Sequence, residues 1–518
     1  MNRLINKFNG DRRNKIVIGF TFFFSILAHS YRWMNPIFSH DSLLIEQIDT
    51  GWQISLGRFL IPVYVMIRGE IVMPLIIGLL SVLYLAGALL LLIHILDLRD
   101  TFAIISICGI FSTFSVVTIL NASCLHCLDI YMLSLFCAVA GVWFFIHDQK
   151  ILSVFCFFIS LGIYQIFIQV GAALFLLWII KESADVKDSK ILINRFIGIS
   201  LIILSAGGLY CIGCLLACSI YDVPFAKTYN SVFSLMSFDT GKVFKWIFET
   251  YKFVAENLLI PDTYRPKISG PCNLLIGILS IFPLLSIMQK VKRRFLFLLL
   301  LIFMPIGSNF VYILSQGHVY SYMVYPTVMY YVIVWFLFES DKCHDSNRII
   351  MWSKKIVSIL IFIIIANNTL FANQVYVKKS LEESATLSAM TRIVAQMEST
   401  EGYIPGKTKV VLLGDINYST ISSKKNSLDT LSVSRESLGM NYSVTYYGAY
   451  DNYFRYILGY NVNLAPQNLA DLYIDNREVL NMPAFPVEGF CKMVDDVLLV
   501  KLSENMYLFK NMDYYSNK

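Results

Sequence analysis

Charged side chains are scarce in this sequence. Only 15% of its 518 residues are Asp, Glu, Lys or Arg, against about 25% in soluble domains. With 56% hydrophobic residues and a mean hydropathy of +0.61, the shortage excludes an ordinary water-soluble chain. Nucleotide-binding signatures are also missing from the polar region 379–518: it has no GxGxxG, no Walker loop and no catalytic-triad motif, so nucleotide chemistry is unsupported. No small-residue cleavage site follows the apolar stretch 16–34, so the basic segment Met1–Lys15 predicts a retained N-terminus rather than a signal peptide. Cys124-Leu-His-Cys127 lacks a second Cys/His pair at zinc spacing and reads as packing. Cys108, Cys137, Cys156, Cys211, Cys214 and Cys218 fall inside apolar runs, where a thiol is a small apolar group. No cofactor is therefore expected, and the sequence supports no divalent metal. The net charge of +6 does not predict nucleic-acid binding, because the basic residues flank apolar runs.

What is present is length without charge. Crossing a hydrocarbon layer takes about 20 helical residues. Runs of that kind cover 16–34, 71–96, 101–120, 128–146, 196–220, 272–289, 295–314, 319–338 and 356–376. Segment 151–180 is either one long helix or two short ones broken at Gly162-Ile163-Tyr164-Gln165. The positive-inside rule chooses between them. With two spans and a cytoplasmic N-terminus, the inner side carries roughly twice the Lys and Arg of the outer side, whereas a single span makes the sides nearly equal. The sequence thus predicts a polytopic α-helical membrane protein with about eleven transmembrane helices. Its first half-span, about 13 residues, reaches only about 20 Å at 1.5 Å per residue. Such a helix must end in protein or at a water-filled cavity, since lipid cannot satisfy its freed backbone groups. That places Tyr164 and Gln165 near the outer side.

The same topology gathers loop 35–70, loop 222–270 and everything after residue 378 on the outer face. In loop 222–270, VFKWIFETYKFVAEN reads as an interfacial helix with Trp246 and Tyr251 at the headgroup level, followed by Arg265 and Lys267. From residue 379 the apolar runs stop. SLEESATLSAMTRIVAQME and NYFRYILGY read as helices, and KVVLLGD and MVDDVLLVKL as one strand each. The domains predicted are a membrane region, 1–378, and a soluble α/β or α+β domain, 379–518.

Between two long apolar runs, SHDSLLIEQIDTGWQISLGRFLIPVYVMIRGE, residues 39–70, brings together Asp41, Glu46, Asp49, Glu70, Arg58 and Arg68. From Trp52 onward, Trp52, Leu56, Phe59, Leu60, Val63 and Ile67 recur at helical spacing. This predicts one interfacial amphipathic helix with Arg58 on the opposite side, towards water. Arg68, at the far end, reads either as a functional cation or as a snorkelling side chain.

An acidic first outer loop flanked by interfacial helices resembles the GT-C glycosyltransferases, which use polyprenyl-phosphate sugars. More narrowly, HDS at 40–42, GW and ISLGRFLIP at 51–62, and Tyr164-Gln165 resemble the bacteriophage-type, serotype-converting O-antigen glucosyltransferases, most specifically in GW and GRF. The resemblance covers most of the membrane portion and implies a GT-C-like fold with a periplasmic C-terminal domain in the bacterial inner membrane. It implies transfer of glucose from undecaprenyl-phosphate-glucose to the O-antigen polysaccharide, and dependence on a polyprenyl-phosphate glucosyltransferase and a flippase that supply the donor. In that chemistry a carboxylate takes the acceptor's proton, and arginines bind the departing phosphate bidentately. Asp41 is assigned as base with Glu46 in reserve; Arg58 and Arg68 bind phosphate, with Arg265 and His318 as further candidates. Trp52, Asp49, Glu70, Tyr164 and Gln165 are the candidate substrate contacts. Two other readings stand beside it: a lipid-linked sugar transporter or flippase, which should show internal repeats, and an O-antigen polymerase or ligase.

Overall fold

The structure is a computed structural model that describes residues 11–38, 49–185, 189–226, 240–260, 266–340, 343, 348–419, 442, 444 and 447–506. Two compact units emerge. The first comprises residues 1–34, 47–121 and 125–373; the second comprises 35–46, 122–124 and 374–518.

The first unit is helical. In chain order it holds α1 (Arg12–Met34), the short α2 (Thr50–Ser55) and α3 (Leu60–Arg68), α4 (Pro74–Leu96), α5 (Thr101–Thr113), α6 (Ser115–Ser123), α7 (Leu128–Ile146), α8 (Lys150–Ile163) and α9 (Ile168–Asp185). Then follow α10 (Ser189–Tyr221), α11 (Val243–Leu259), α12 (Ser269–Lys290), α13 (Arg294–Leu314), α14 (Met329–Phe338) and α15 (Arg348–Ser399). Among the described residues ten helical segments are long and apolar enough to cross a membrane by length and composition, taking α5 with α6 as one. The fourteen-residue α8 is an additional, shorter apolar helix. The chain is a polytopic helical membrane protein.

The expected break in 151–180 is present. Tyr164 is extended (φ −157°, ψ 110°), followed by a single 3-10 turn, Gln165–Phe167. The two halves run in opposite directions along α7. In α8, Ser153 Oγ donates to the Gly141 carbonyl, and Ser160 lies beside Ser134. In α9 the order reverses, so that Phe175 and Trp178 pack edge-on against Phe145 near the end of α7. The break ends in protein, as the dry environment requires: the Tyr164 carbonyl accepts from Ser134 Oγ, 3.1 Å.

Ion pairs tie together the ends that this reversal brings to one side. Arg13 bridges Asp11 and Asp97, and Lys354 bridges Asp100 and Glu339. Lys181 donates to the Leu96 carbonyl, and Arg195 pairs with Glu182. The candidate site lies towards the opposite ends of these helices.

The second unit contains the C-terminal part of α15, β1 (Lys409–Leu413), α16 (Tyr447–Asn452), β2 (Asn463–Leu464), α17 (Arg477–Asn481), β3 (Cys491–Val494) and β4 (Val497–Lys501). Strand order is β2-β1-β4-β3, with β1 parallel to β2 and β4 and the β3–β4 pair antiparallel. Side chains alternate across this sheet, so each face builds its own core. Val410, Leu412, Leu498 and Val500 pack with Met390, Ile393 and Met397 of α15. Val411, Leu413 and Leu499 pack with Ile474, Val479 and Met482. MVDDVLLVKL is not one strand but a hairpin. Asp495 and Asp496 both adopt positive φ (49° and 62°), the two-residue turn whose twist suits a hairpin and which Asp tolerates.

Candidate active site

The segment between α1 and α4 departs from the single helix its apolar spacing predicts. Asp49 caps α2, its carboxylate accepting from the Trp52 N–H at 2.9 Å. Gly57 ends that helix in the left-handed region (φ 77°), open to glycine because it lacks a Cβ. The Gly57 N–H bonds the Ile54 carbonyl and the Arg58 N–H bonds the Gln53 carbonyl, a Schellman closure. The chain turns and re-enters as α3, with Pro62 tolerated in its first turn.

This turn reverses the expected direction of Arg58. Its guanidinium lies 4.7 Å from the centre of the Tyr164 ring, and Nη1 donates to the Tyr131 hydroxyl at 3.3 Å. Tyr131 stacks on Tyr164 at 4.5 Å. A cation over a desolvated aromatic face gains up to about 2 kcal/mol, which favours this inward arrangement over a water-facing one. Gln165 holds the turn from beneath. Its Nε2 donates to the Leu56 and Gly57 carbonyls, each at 3.3 Å, and to the Tyr210 hydroxyl at 2.7 Å. Phe59 wedges between Gly162 and Gly213, where an added Cβ would lie 3.0 and 2.6 Å from its ring.

Arg68, the last residue of α3, does not snorkel. Its side chain is 4% exposed and forms an ion pair with the fully buried Asp129 at 2.8 Å. Nη1 also donates to the His126 carbonyl at 3.0 Å. The other Asp129 oxygen accepts from the Tyr64 hydroxyl at 3.1 Å, which in turn touches the Tyr84 hydroxyl at 3.2 Å. Burial first, and then the Asp129 charge, push the Tyr64 phenol well above its ordinary pKa, so it remains a donor. Asp129 stands in the first turn of α7, where the N-terminal helix dipole favours a carboxylate, and it accepts from the Ile130 N–H. Arg68 Nη2 is buried and has no hydrogen-bond partner among the described residues. A buried guanidinium nitrogen is costly to leave unsatisfied, which makes Nη2 a candidate donor to an oxygen-bearing ligand.

The sequence comparisons assign the whole region. The family model described as glucosyl transferase GtrII matches residues 31–338. The chain belongs to this family. Its members are the phage-type O-antigen glucosyltransferases, as the GW and GRF residues suggested. No curated protein and no solved structure matches the chain. As a GtrII-type glucosyl transferase, the protein carries Arg58, Arg68, Asp129, Tyr131 and Tyr164 all within the matched region.

The other predicted site residues are distributed differently in this GtrII member. Asp41, Glu46 and Arg265 lie outside the described residues. Glu70 and His318 are exposed, His318 in the turn after α13, and Trp52 is half-buried in α2. Tyr164 and Gln165 touch the arginine-bearing turn itself. In α11, Trp246 packs against Gly317 and Tyr312 rather than only marking the headgroup level, and the Tyr251 hydroxyl donates to the Ile302 carbonyl at 2.8 Å. Sequence reasoning missed Asp129, whose signal was a lone acid opening an apolar run. It also missed Arg32, 2% exposed, which donates to the Asn121 carbonyl at 3.0 Å. Both contacts fall on the turn 121–129, which had been read for its cysteines.

Proposed function

We propose that this glucosyl transferase moves a glucosyl group from undecaprenyl-phosphate-glucose to lipid-linked O-antigen on the periplasmic face of the inner membrane, with inversion, so converting the serotype. The observation that supports this most directly is the buried Arg68 fork, with one amino nitrogen spent on Asp129 and His126 and the other left for a ligand. Arg58 stands ten residues earlier on the same docked segment, over Tyr164. Two guanidinium groups presented beside apolar helices suit a phosphate carried by a lipid, which needs no nucleotide pocket.

The reaction follows from that donor. The acceptor hydroxyl attacks the anomeric carbon, its proton passes to a carboxylate, and the C1–O bond to phosphate breaks with its electron pair on the leaving oxygen. A correctly placed base contributes about 10²–10⁴-fold; Asp41 is the proposed base and Glu46 the reserve. Attack opposite the departing phosphate inverts the anomeric centre. The N-terminus and the ion-paired helix ends are assigned to the cytoplasm and the C-terminal domain to the periplasm. The deciding experiment compares lipopolysaccharide from a host with and without this protein, with polyprenyl-phosphate-glucose supplied. Added hexose on the O-antigen is expected, and none would sink the reading.

A further inference from the structure

Transfer turns one kind of phosphate into another. The proposed donor is a phosphodiester with a single negative charge. The product, a polyprenyl phosphate, is a phosphomonoester, and such groups carry about −1.5 to −2 charges near pH 7. A site built from bare guanidinium groups would hold its product more tightly than its donor and turn over slowly.

Asp129 answers this difficulty. It is fully buried, and its 2.8 Å ion pair makes Arg68 formally neutral while leaving Nη2 as a hydrogen-bond donor. Tyr64 adds a second hydrogen bond to the same carboxylate at 3.1 Å, and the Ile130 N–H adds a third contact at 2.9 Å. Those partners, with the N-terminus of α7, hold the carboxylate against Arg68 from three sides. The Arg68–His126 bond at 3.0 Å and the Asp129 bond at 2.8 Å, both from Nη1, together fix the direction of the fork.

We propose that Asp129 is a positioning residue that neutralises Arg68, matching the site to a singly charged phosphodiester and lowering its affinity for the more highly charged product. This rests on the polyprenyl-phosphate donor proposed above and adds how the donor is told from the product. Asp129 touches neither substrate nor product; it acts through Arg68.

The test uses the full chain in liposomes. In Asp129→Asn the product inhibition constant for undecaprenyl phosphate should fall by about tenfold, the size of one partly screened charge contact, while the donor KM, for a ligand of about half the charge, falls only about threefold. The kcat should fall as release slows. Inhibition constant and KM moving by the same factor would mean a structural role and overturn the proposal. Should the variant fail to fold, the parent protein still decides. Binding of undecaprenyl phosphate and of its methyl ester, a singly charged diester, is measured without any sugar. Comparable affinities, or a tighter diester, support the assignment, and a strong preference for the monoester overturns it. Binding of neither lipid would overturn the donor reading itself, and this proposal with it. Glucosyl transfer together with monoester preference would remove only the role given to Asp129.

Discussion

Gln165→Leu separates a residue that touches substrate from one that holds the turn carrying Arg58. The side chain's two amide hydrogens serve three acceptors: one bonds Tyr210 at 2.7 Å and the other is shared between two carbonyls at 3.3 Å each. The loss should be about 2 kcal/mol for two donors at roughly 0.5–1.5 each. Leucine fills similar space, so little of this is cavity. The functional cost comes through Gly57 and Arg58. Without the clamp the turn loosens, and Arg58 no longer stays over Tyr164. Losing one charged hydrogen bond to phosphate, about 1.5–3 kcal/mol, predicts a fall of about 10–100-fold in kcat/KM, mostly as a raised donor KM. Glucosyl transfer from purified polyprenyl-phosphate-glucose in liposomes reads the kinetics, and thermal unfolding in detergent reads the stability. Gly57→Ala should give the same pattern, because its left-handed φ is strained for alanine. If Gln165→Leu loses stability yet keeps kcat/KM within about twofold of the parent, a change near 0.4 kcal/mol, the turn does not need its clamp to present Arg58. The reasoning then fails.

Three other outcomes are expected. Asp41→Asn should lower activity by about 10²-fold with normal folding, whereas Asp49→Asn should keep the helix cap, because the Asn oxygen still accepts from the Trp52 N–H, and leave catalysis per folded molecule intact; equal catalytic losses would place Asp49 in the chemistry as well. Reporter fusions after Lys150 and after Lys190 should report cytoplasm and one near Gly406 periplasm; a cytoplasmic Gly406 would refute the proposed sidedness. In the second unit, burial raises the Asp415 carboxyl above its ordinary range, against hydrogen bonds from Asn417 and Tyr450 that favour its charge. Its stability contribution is therefore fully present below the unfolded carboxylate range and lost as pH rises through the folded value. Asp415→Asn should protect β1 amides from hydrogen exchange better than the parent at pH 7 but not at about pH 3, and equal protection at both would refute the sign.

Much of the architecture was legible because hydropathy is a local property. Each long apolar run had to become a buried or lipid-facing helix, and the Gly162–Gln165 interruption was legible because only two spans there put most of the Lys and Arg on one side. The strand KVVLLGD and the helix after residue 379 were likewise written in their own periodicity, and the GW and GRF residues were enough to indicate the family. The two-strand division of MVDDVLLVKL was not, since Val, Leu and Met continue through it and only the positive φ of Asp495 and Asp496 marks the turn. Arg58 was misdirected for a similar reason. Helical spacing runs unbroken across Gly57, but a glycine at φ 77° turns the chain, and Gln165, far away in sequence, then pins it. Arg68 and Asp129 are 61 positions apart. Nothing local distinguishes that arginine from a snorkelling one, or that aspartate from a helix-opening acid. Sequence by itself determined which segments leave water and which family they serve. Only the tertiary structure decided which charges meet, because pairing in a dry interior depends on which helix ends pack together.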